Sequence, residues 1–285
     1  MTTKTILVTG AAGNVAGRVV RTLTERGLPV RAMVRASEKV AFPSTVEVAK
    51  ADFQDAASLA AALHGVGAAY LLSSGPQLTA YEQRFIDEAK RAGVAHVVKH
   101  SVQGAEYEAS IIPRWHRASE KHLEASGLAW TVLRPASFAS NALGWAGSVK
   151  SAGVVYGALG DAALPVIDPD DIATVAALVL SAPAAHAGKA YTLTGPAALT
   201  TAQQVGQLGE ALHRILAYVN VPDEAARDAM RSSGMDPAWV DAMVDLIKTL
   251  RGLGTVAPTD TFASLTGKAP RAFAEWARLN VASFR

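Results

Sequence analysis

The sequence predicts an α/β protein built on a doubly wound parallel sheet with a smaller, mainly helical C-terminal part, and three observations carry that prediction. Short β-branched runs alternate with longer amphipathic stretches through the first half of the chain. Gly27, Gly93 and Gly127 each stand just past an amphipathic stretch and before a new apolar run, where a left-handed residue ends a helix at least cost. After Tyr191-Thr192-Leu193-Thr194 the alternation stops and the pattern turns mostly helical.

Taken in order, a strand at 5–8 leads into a helix at 14–26, a strand at 30–34 and a helix at 58–63. A strand at 68–72 and a helix near 80–92 follow, then a strand at 94–99, a helix near 117–125 and a strand at 128–133. Strands separated by helices imply parallel pairing with right-handed crossovers and helices on both faces. Beyond Arg134-Pro135, Gly144, Gly147, Gly153, Gly157 and Gly160 punctuate a loop-rich stretch, and Asp170-Asp171 caps an apolar helix to about Leu180. Thr200 or Thr201 caps a helix to about Arg214, Asp223 another, and Asp236-Pro237 a third with Trp239, Met243, Leu246, Ile247 and Leu250 on one broad side. A last helix from about Pro270 holds Phe273, Trp276 and Leu279. The expected division is a nucleotide domain of residues 1–140 with returning segments at about 164–195, and a lid of 141–163 and 196–285.

Composition narrows the function classes. With 285 residues, half of them apolar, the chain can bury a sizeable core. Its 27 Lys and Arg against 25 Asp and Glu, without long runs of one sign, provide no electrostatic footprint for nucleic acid or an anionic membrane. No Cys is present, which excludes disulfides, a thiolate nucleophile, an iron-sulfur cluster and a cysteine zinc site. Redox chemistry would therefore need an organic cofactor or a non-thiolate metal site. The first residues run straight into an apolar stretch too short for a signal peptide, and nothing approaches the ~20 apolar residues of a membrane span. A soluble, cytoplasmic protein is expected, a monomer or homodimer with a small-molecule substrate and neither nucleic acid nor membrane as partner.

Directly after the first strand stands Thr9-Gly10-Ala11-Ala12-Gly13-Asn14-Val15-Ala16-Gly17. Gly10 and Gly13 provide the tight turn that lets backbone amides at a helix N-terminus approach a pyrophosphate, with Ala16 in the third small position. This makes the predicted fold an NAD(P)-binding Rossmann fold. The second strand ends at Arg35, where binders of the unphosphorylated cofactor place an Asp or Glu against the ribose 2'-hydroxyl. Arg35, with Lys39 one turn later, would instead neutralise a 2'-phosphate, so the expected cofactor is NADPH. Asp52-Phe53, just past the third strand, has two readings: an acceptor for the adenine amino group beside a backbone amide, or a helix cap before Ser58.

These residues resemble the NmrA-like, atypical branch of the short-chain dehydrogenase/reductase superfamily, which includes NADPH quinone oxidoreductases and azoreductases. The resemblance runs nearly end to end. Its motifs are Val8-Thr9-Gly10-Ala11-Ala12-Gly13-Asn14-Val15, Val34-Arg35 with Lys39, Ala51-Asp52-Phe53 with Asp55 and Ser58-Leu59, and Leu71-Leu72-Ser73-Ser74. Further on they are Ser126-Gly127-Leu128 to Leu133-Arg134-Pro135, Asp170-Asp171-Ile172-Ala173, Tyr191 to Pro196, and Leu265 to Arg271. The resemblance implies NADPH lying across the C-terminal strand ends, with Gly10, Ala12, Gly13, Asn14 and Val15 at its phosphates and Arg35, Lys39, Asp52 and Phe53 at its adenosine half. It also implies Leu72, Ser73, Ser74, Ser101 and Pro135 beside the rest of the cofactor.

The superfamily's usual chemistry uses a Tyr and a Lys four residues apart on one helix face, the Lys lowering the Tyr pKa and the Tyr protonating an alkoxide. Aligned on Glu120 and the Ser-Gly-Leu to Leu-Arg-Pro segment, the Tyr position is Ile112 and the Lys position His116. Ser101 still matches the superfamily's hydroxyl donor. His116 has two readings, a contact to the ribose or a proton relay near neutral pH, and a structural hydrogen bonder. Without the tyrosine acid, an unactivated ketone loses several kcal/mol of transition-state support, whereas a quinone or azo acceptor delocalises the charge or takes its proton from solvent. The expected enzyme is thus an NADPH-dependent reductase of a quinone, azo compound or imine, with Ser101 and His116 as catalytic residues and Phe138 and Trp145 as aromatic walls for the substrate. The alternative is a non-catalytic NADP(H)-binding, redox-sensing regulator, which the missing Tyr also fits. A hydrolytic metal site of His96, His100 and Asp52 is a poor third, lacking any His-x-x-x-His pair, and no metal is expected.

Overall fold

In the computed structural model, which describes residues 4–35 and 40–285, nine strands are β1 (Thr5–Val8), β2 (Val30–Val34), β3 (Glu47–Lys50), β4 (Val66–Leu71), β5 (His96–His100), β6 (Ala129–Pro135), β7 (Val154–Gly157), β8 (Lys189–Leu193) and β9 (Ala217–Asn220). The helices of the first half are α1 (Asn14–Glu25), α2 (Ala56–Leu63), α3 (Leu78–Arg91), α4 (Ile111–Ala125), α5 (Ala146–Ala152) and α6 (Pro169–Ser181). They are followed by α7 (Pro183–His186), α8 (Thr201–Leu212), α9 (Asp223–Ser232), α10 (Pro237–Leu253), α11 (Thr261–Thr266) and α12 (Phe273–Leu279).

Seven strands form one sheet of order β3-β2-β1-β4-β5-β6-β8. β1 pairs in parallel with both β2 and β4, with Val8 opposite Ala32 on one side and Tyr70 on the other. The β2–β3, β4–β5 and β5–β6 pairs are parallel as well. Chain order therefore runs outward in both directions from β1 and β4, and the crevice beyond their carboxyl ends is where such sheets bind ligands.

The chain divides into two compact units. The first comprises Met1–Glu106, Arg114–Arg134 and Pro169–Thr192. Its buried cluster joins Leu7, Met33 and Val97 of the sheet to Leu59 and Leu63 of α2 and Phe85 and Ile86 of α3. α1 buries Val15, Ala16, Val19, Val20 and Leu23, a helical spacing that puts one apolar stripe against the sheet. Gly27, Gly93 and Gly127 have φ of +70°, +72° and +83°, the left-handed endings that the sequence predicts.

The second unit comprises Tyr107–Pro113, Pro135–Asp168 and Leu193–Arg285. Its core gathers Val149, Val155, Leu164, Val205, Leu208, Phe273, Trp276 and Phe284. β7 and β9 pair in parallel here, an element that the glycine-punctuated sequence did not reveal. On α10 the fully buried residues are Val240, Ala242 and Val244, whereas Trp239, Met243, Leu246, Ile247 and Leu250 are only partly buried. Likewise Leu279 of α12 is exposed while Phe273 and Trp276 are buried. α4 starts at Ile111 rather than near 117, because Pro113 falls in its first turn, where the missing N–H costs no helical hydrogen bond. Among the described residues no helix is long and apolar enough to cross a membrane.

Candidate active site

The glycine loop shapes the crevice end of β1 and β4 through its backbone. The buried Thr9 hydroxyl donates to Leu72 O at 2.9 Å and accepts from Leu72 N–H at 2.8 Å, which locks the two strand ends together. Gly10 has φ +61°, and a Cβ there would stand 3.4 Å from both Leu72 Cδ2 and Leu72 O. Gly13 donates to Gly10 O at 2.8 Å, and a Cβ at Gly13 would come within 3.1 Å of that carbonyl. Gly13 is also the N-cap of α1, and no side chain caps this end. The first turn of an α-helix points backbone amides outward, and its positive dipole end adds to their pull on an anion.

A cleft of about 330 Å³ opens beside this loop. It is lined by Gly10, Gly13, Met33, Val34, Arg35, Ala51, Asp52, Phe53, Gln54, Leu72, Ser73, Ser74 and Tyr81, all from the first unit. It thus brings together eight of the residues nominated from the sequence: Gly10, Gly13, Arg35, Asp52, Phe53, Leu72, Ser73 and Ser74. Ala12, Asn14 and Val15 occupy the loop and helix start without lining it, and the Val15 side chain is buried at 4% exposure, so only its amide is on offer. Lys39 lies outside the described residues. At Asp52 the two readings separate: the cap of α2 is Asp55, which accepts from Ala57 N–H at 3.0 Å, while the Asp52 carboxylate accepts from Gln54 N–H at 2.8 Å within the cleft wall. Tyr81, unforeseen, stacks on Phe53 at 5.7 Å between ring centroids and 9° between planes, and its hydroxyl accepts from Gln54 Nε2 at 2.7 Å. The signal for it was an aromatic residue in the first turn of the helix after β4.

Behind Ser73 runs a buried polar chain that the sequence did not suggest. The Ser73 hydroxyl donates to Glu82 Oε1 at 3.1 Å. Glu82 Oε2 accepts from the Ser119 hydroxyl and from Lys99 Nζ, each at 2.5 Å. The Lys99 and Glu82 side chains are both fully buried. Lys99 Nζ reaches His100 O at 3.2 Å and His116 Nδ1 at 3.3 Å. Burial first, then the charge of Lys99 and the neighbouring His100, hold the His116 pKa well below 6.5. This environment disfavours the imidazolium form of His116. His100 is pushed down to about 3 by burial and then by Lys99, and its Nδ1 is hydrogen-bonded to the Tyr70 hydroxyl at 2.6 Å.

A second buried carboxylate organises Ser101. Its hydroxyl donates to Glu120 Oε1 at 2.5 Å. Arg134 grips the same carboxylate through Nε at 3.1 Å and Nη2 at 2.7 Å, and Arg117 adds a contact at 3.0 Å. Burial alone would raise the Glu120 pKa, but the hydrogen bonds from Arg134 and Ser101 and the charges of Arg134 and Lys99 outweigh it and hold the group below its usual value. The Ser101 proton is thus engaged by a carboxylate. Ile112, at the position of the superfamily's acid, is apolar and buried. Pro135 closes β6 and is assigned to the second unit with Phe138 and Trp145. Phe138 precedes a short helical turn at Ala139–Trp145 and bridges to Ile167, and Trp145 packs against the second unit's core. His96 bonds Thr131 at 2.9 Å, and among the described residues no three His, Asp or Glu side chains are grouped to hold a metal ion.

Residues 10–183 match the family model described as NAD(P)H-binding. Over 282 residues the chain is 36% identical to the (4-alkanoyl-5-oxo-2,5-dihydrofuran-3-yl)methyl phosphate reductase of Streptomyces griseus, covering 98% of this chain and 99% of that protein. It is 34% identical over 283 residues to the NAD(P)H azoreductase of Xenophilus azovorans, again covering 98% and 99%. Among solved structures, the NADPH-dependent quinone oxidoreductase of Escherichia coli complexed with NADPH matches with a TM-score of 0.82 and 29% identity, covering 95% of this chain and 98% of that one.

Proposed function

The chain belongs to the NAD(P)H-binding family, and on that premise we propose that it is an NADPH-dependent reductase of electron-poor conjugated acceptors, of the NmrA-like atypical short-chain dehydrogenase/reductase branch that its motifs resemble. The cleft fits the cofactor on its own geometry. Side chains are absent at Gly10 and Gly13, where a Cβ would crowd Leu72 and the Gly10 carbonyl; no side chain caps the N-terminus of α1; and Arg35, not a carboxylate, directly follows β2. When bound, NADPH supplies the hydride. Gly10, Ala12, Gly13, Asn14 and Val15 would hold its phosphates, Arg35 and Lys39 its 2'-phosphate, Asp52 and Phe53 its adenine side, and Leu72, Ser73, Ser74, Ser101 and Pro135 the remainder.

The observation that carries the choice of acceptor is the lack of a ready acid. Ile112 has no proton to give, His116 is held neutral, and the Ser101 proton is engaged by Glu120. Such a site supports acceptors that spread their new charge over a conjugated system, with Ser101 and His116 assisting only modestly. The names of the relatives point the same way: an azo group, a quinone, and a dihydrofuran ring double bond conjugated with two carbonyls. Phe138 and Trp145 are our candidates for the aromatic wall. The reading extends to a cytoplasmic monomer or homodimer with no nucleic-acid partner, in keeping with the net charge of +2.

The test is a panel of a quinone, an azo dye, an unsaturated lactone, a cyclic imine and a saturated ketone, following NADPH consumption. Conjugated acceptors should be reduced and the ketone should not; bound NADPH with no turnover on any acceptor would favour the regulator instead. Arg35→Asp should weaken NADPH relative to NADH by about tenfold or more, since a charge-assisted contact contributes about 1.5–3 kcal/mol. Unchanged constants for both cofactors would remove Arg35 from the 2'-phosphate.

A further inference from the structure

Lys99 offers an arrangement that neither the reductase reading nor the glycine loop requires. An ammonium has three N–H donors and no acceptor. Around Lys99 Nζ stand three acceptors, Glu82 Oε2 at 2.5 Å, His100 O at 3.2 Å and His116 Nδ1 at 3.3 Å. Every donor has one partner, and for the third to be satisfied His116 Nδ1 must be an unprotonated lone pair. A proton on Nδ1 would face an ammonium hydrogen inside a fully buried cluster. The imidazole proton therefore sits on Nε2.

The same cluster reaches the cleft. Glu82 uses one oxygen for Lys99 and Ser119 and the other for Ser73, a residue of the cleft wall. β5, α3 and α4 thus meet through one carboxylate and one ammonium.

We propose that Lys99, held by Glu82, is the positioning residue of this site: it fixes His116 as the neutral Nε2–H tautomer, so that His116 serves the conjugated acceptor as a hydrogen-bond donor to its developing negative charge. This rests on the reductase reading above. No proton leaves His116 in the hydride step, and the acceptor's proton comes from solvent. Ser73, in the wall of the nucleotide cleft, donates to the other oxygen of the same carboxylate.

The test is nitrogen NMR on the full-length protein carrying 15N-histidine, with His116 identified by the signals lost in His116→Asn. At neutral pH the wild type should show one His116 species, with Nδ1 bare and Nε2 protonated. The double variant Lys99→Met/Glu82→Gln leaves no unpaired buried charge, which favours folding, and should give a mixture of tautomers. Its kcat on a quinone should fall roughly tenfold while its KM for NADPH stays within about twofold, the split expected when a transition-state contact is lost and cofactor binding is kept. An Nδ1-protonated or cationic His116 in the wild type would overturn the proposal, as would a double variant with unchanged His116 signals and kcat. If the wild type turns over no acceptor, the reductase reading fails, and with it the donor role; the NMR result then still decides whether Lys99 sets the tautomer.

Discussion

The glycine loop and the interior around β5 and α4 belong to the same unit and are built by opposite means. At the loop, function comes from side chains that are missing: Gly10 takes a left-handed φ, Gly13 packs against the Gly10 carbonyl, and the helix end is left uncapped. In the interior, side chains are matched in charge and donor count: Lys99 against Glu82, Arg134 against Glu120, with Ser73, Ser101, Ser119 and His116 filling the remaining positions. A backbone-built site can be blocked by adding atoms with little damage to the fold. A charge-matched interior cannot lose one partner without leaving the other buried and unpaired. The two regions should therefore respond to substitution on different axes, one in binding and one in stability.

The largest effect belongs to the interior. Glu82→Ala leaves the Lys99 ammonium buried without its carboxylate and should cost about 3–5 kcal/mol of unfolding free energy, measured by urea denaturation. Adding Lys99→Met to that variant should recover much of the loss. A Glu82→Ala protein as stable as the wild type would show that this pair is not organising the interior.

Acid should attack the same region. His100 is held near pKa 3 against an ordinary 6.5, so in the folded protein it stays neutral while the unfolded chain takes up a proton below about pH 6.5. The unfolded state then binds more protons, and stability falls as pH drops from about 6.5 toward 3. Each unit of that gap is worth about 1.4 kcal/mol, so the total from this group is on the order of 5 kcal/mol. His100→Gln should make the decline shallower by about one proton between pH 6.5 and 4. An unchanged slope would mean that His100 is not the buried neutral group described.

Gly13→Val addresses the loop. It should weaken NADPH at least about a hundredfold, or about 2.7 kcal/mol, and shift the unfolding free energy by less than about 1 kcal/mol. A folded variant that binds NADPH as the wild type does would break the contrast between the two regions, because the loop would no longer be a site made by absent side chains.

The same contrast explains what was legible in the sequence. Gly10, Gly13 and Arg35 lie within one βαβ unit, and their spacing along the chain is their spacing in the site, so reading the sequence finds them. The alternation of apolar runs likewise predicts a parallel sheet with the strands of the first half in place, because period and glycine punctuation are local. Glu82, Lys99, His116 and Ser119 come from α3, β5 and α4, and no local pattern connects a Glu on one helix to a Lys in an apolar strand. Lys99 sits in a run of Val and His that reads simply as strand. Capping was locally ambiguous too: Asp52 and Asp55 are both able to cap α2, and only the structure assigns the cap to Asp55. On α10 the broad apolar side misled, since Trp239 and Leu250 stay partly exposed while Val240 and Val244 carry the burial.

The central claim is that this chain takes hydride from NADPH to a conjugated acceptor without a side-chain acid. Single-turnover reduction of a quinone by NADPH carrying deuterium at the transferred position tests it most directly. The expected result is a slower step than with ordinary NADPH and one equivalent of NADP+ formed per quinone reduced. A protein that binds NADPH tightly and shows no isotope effect, or no oxidation of the cofactor at all, would contradict the claim.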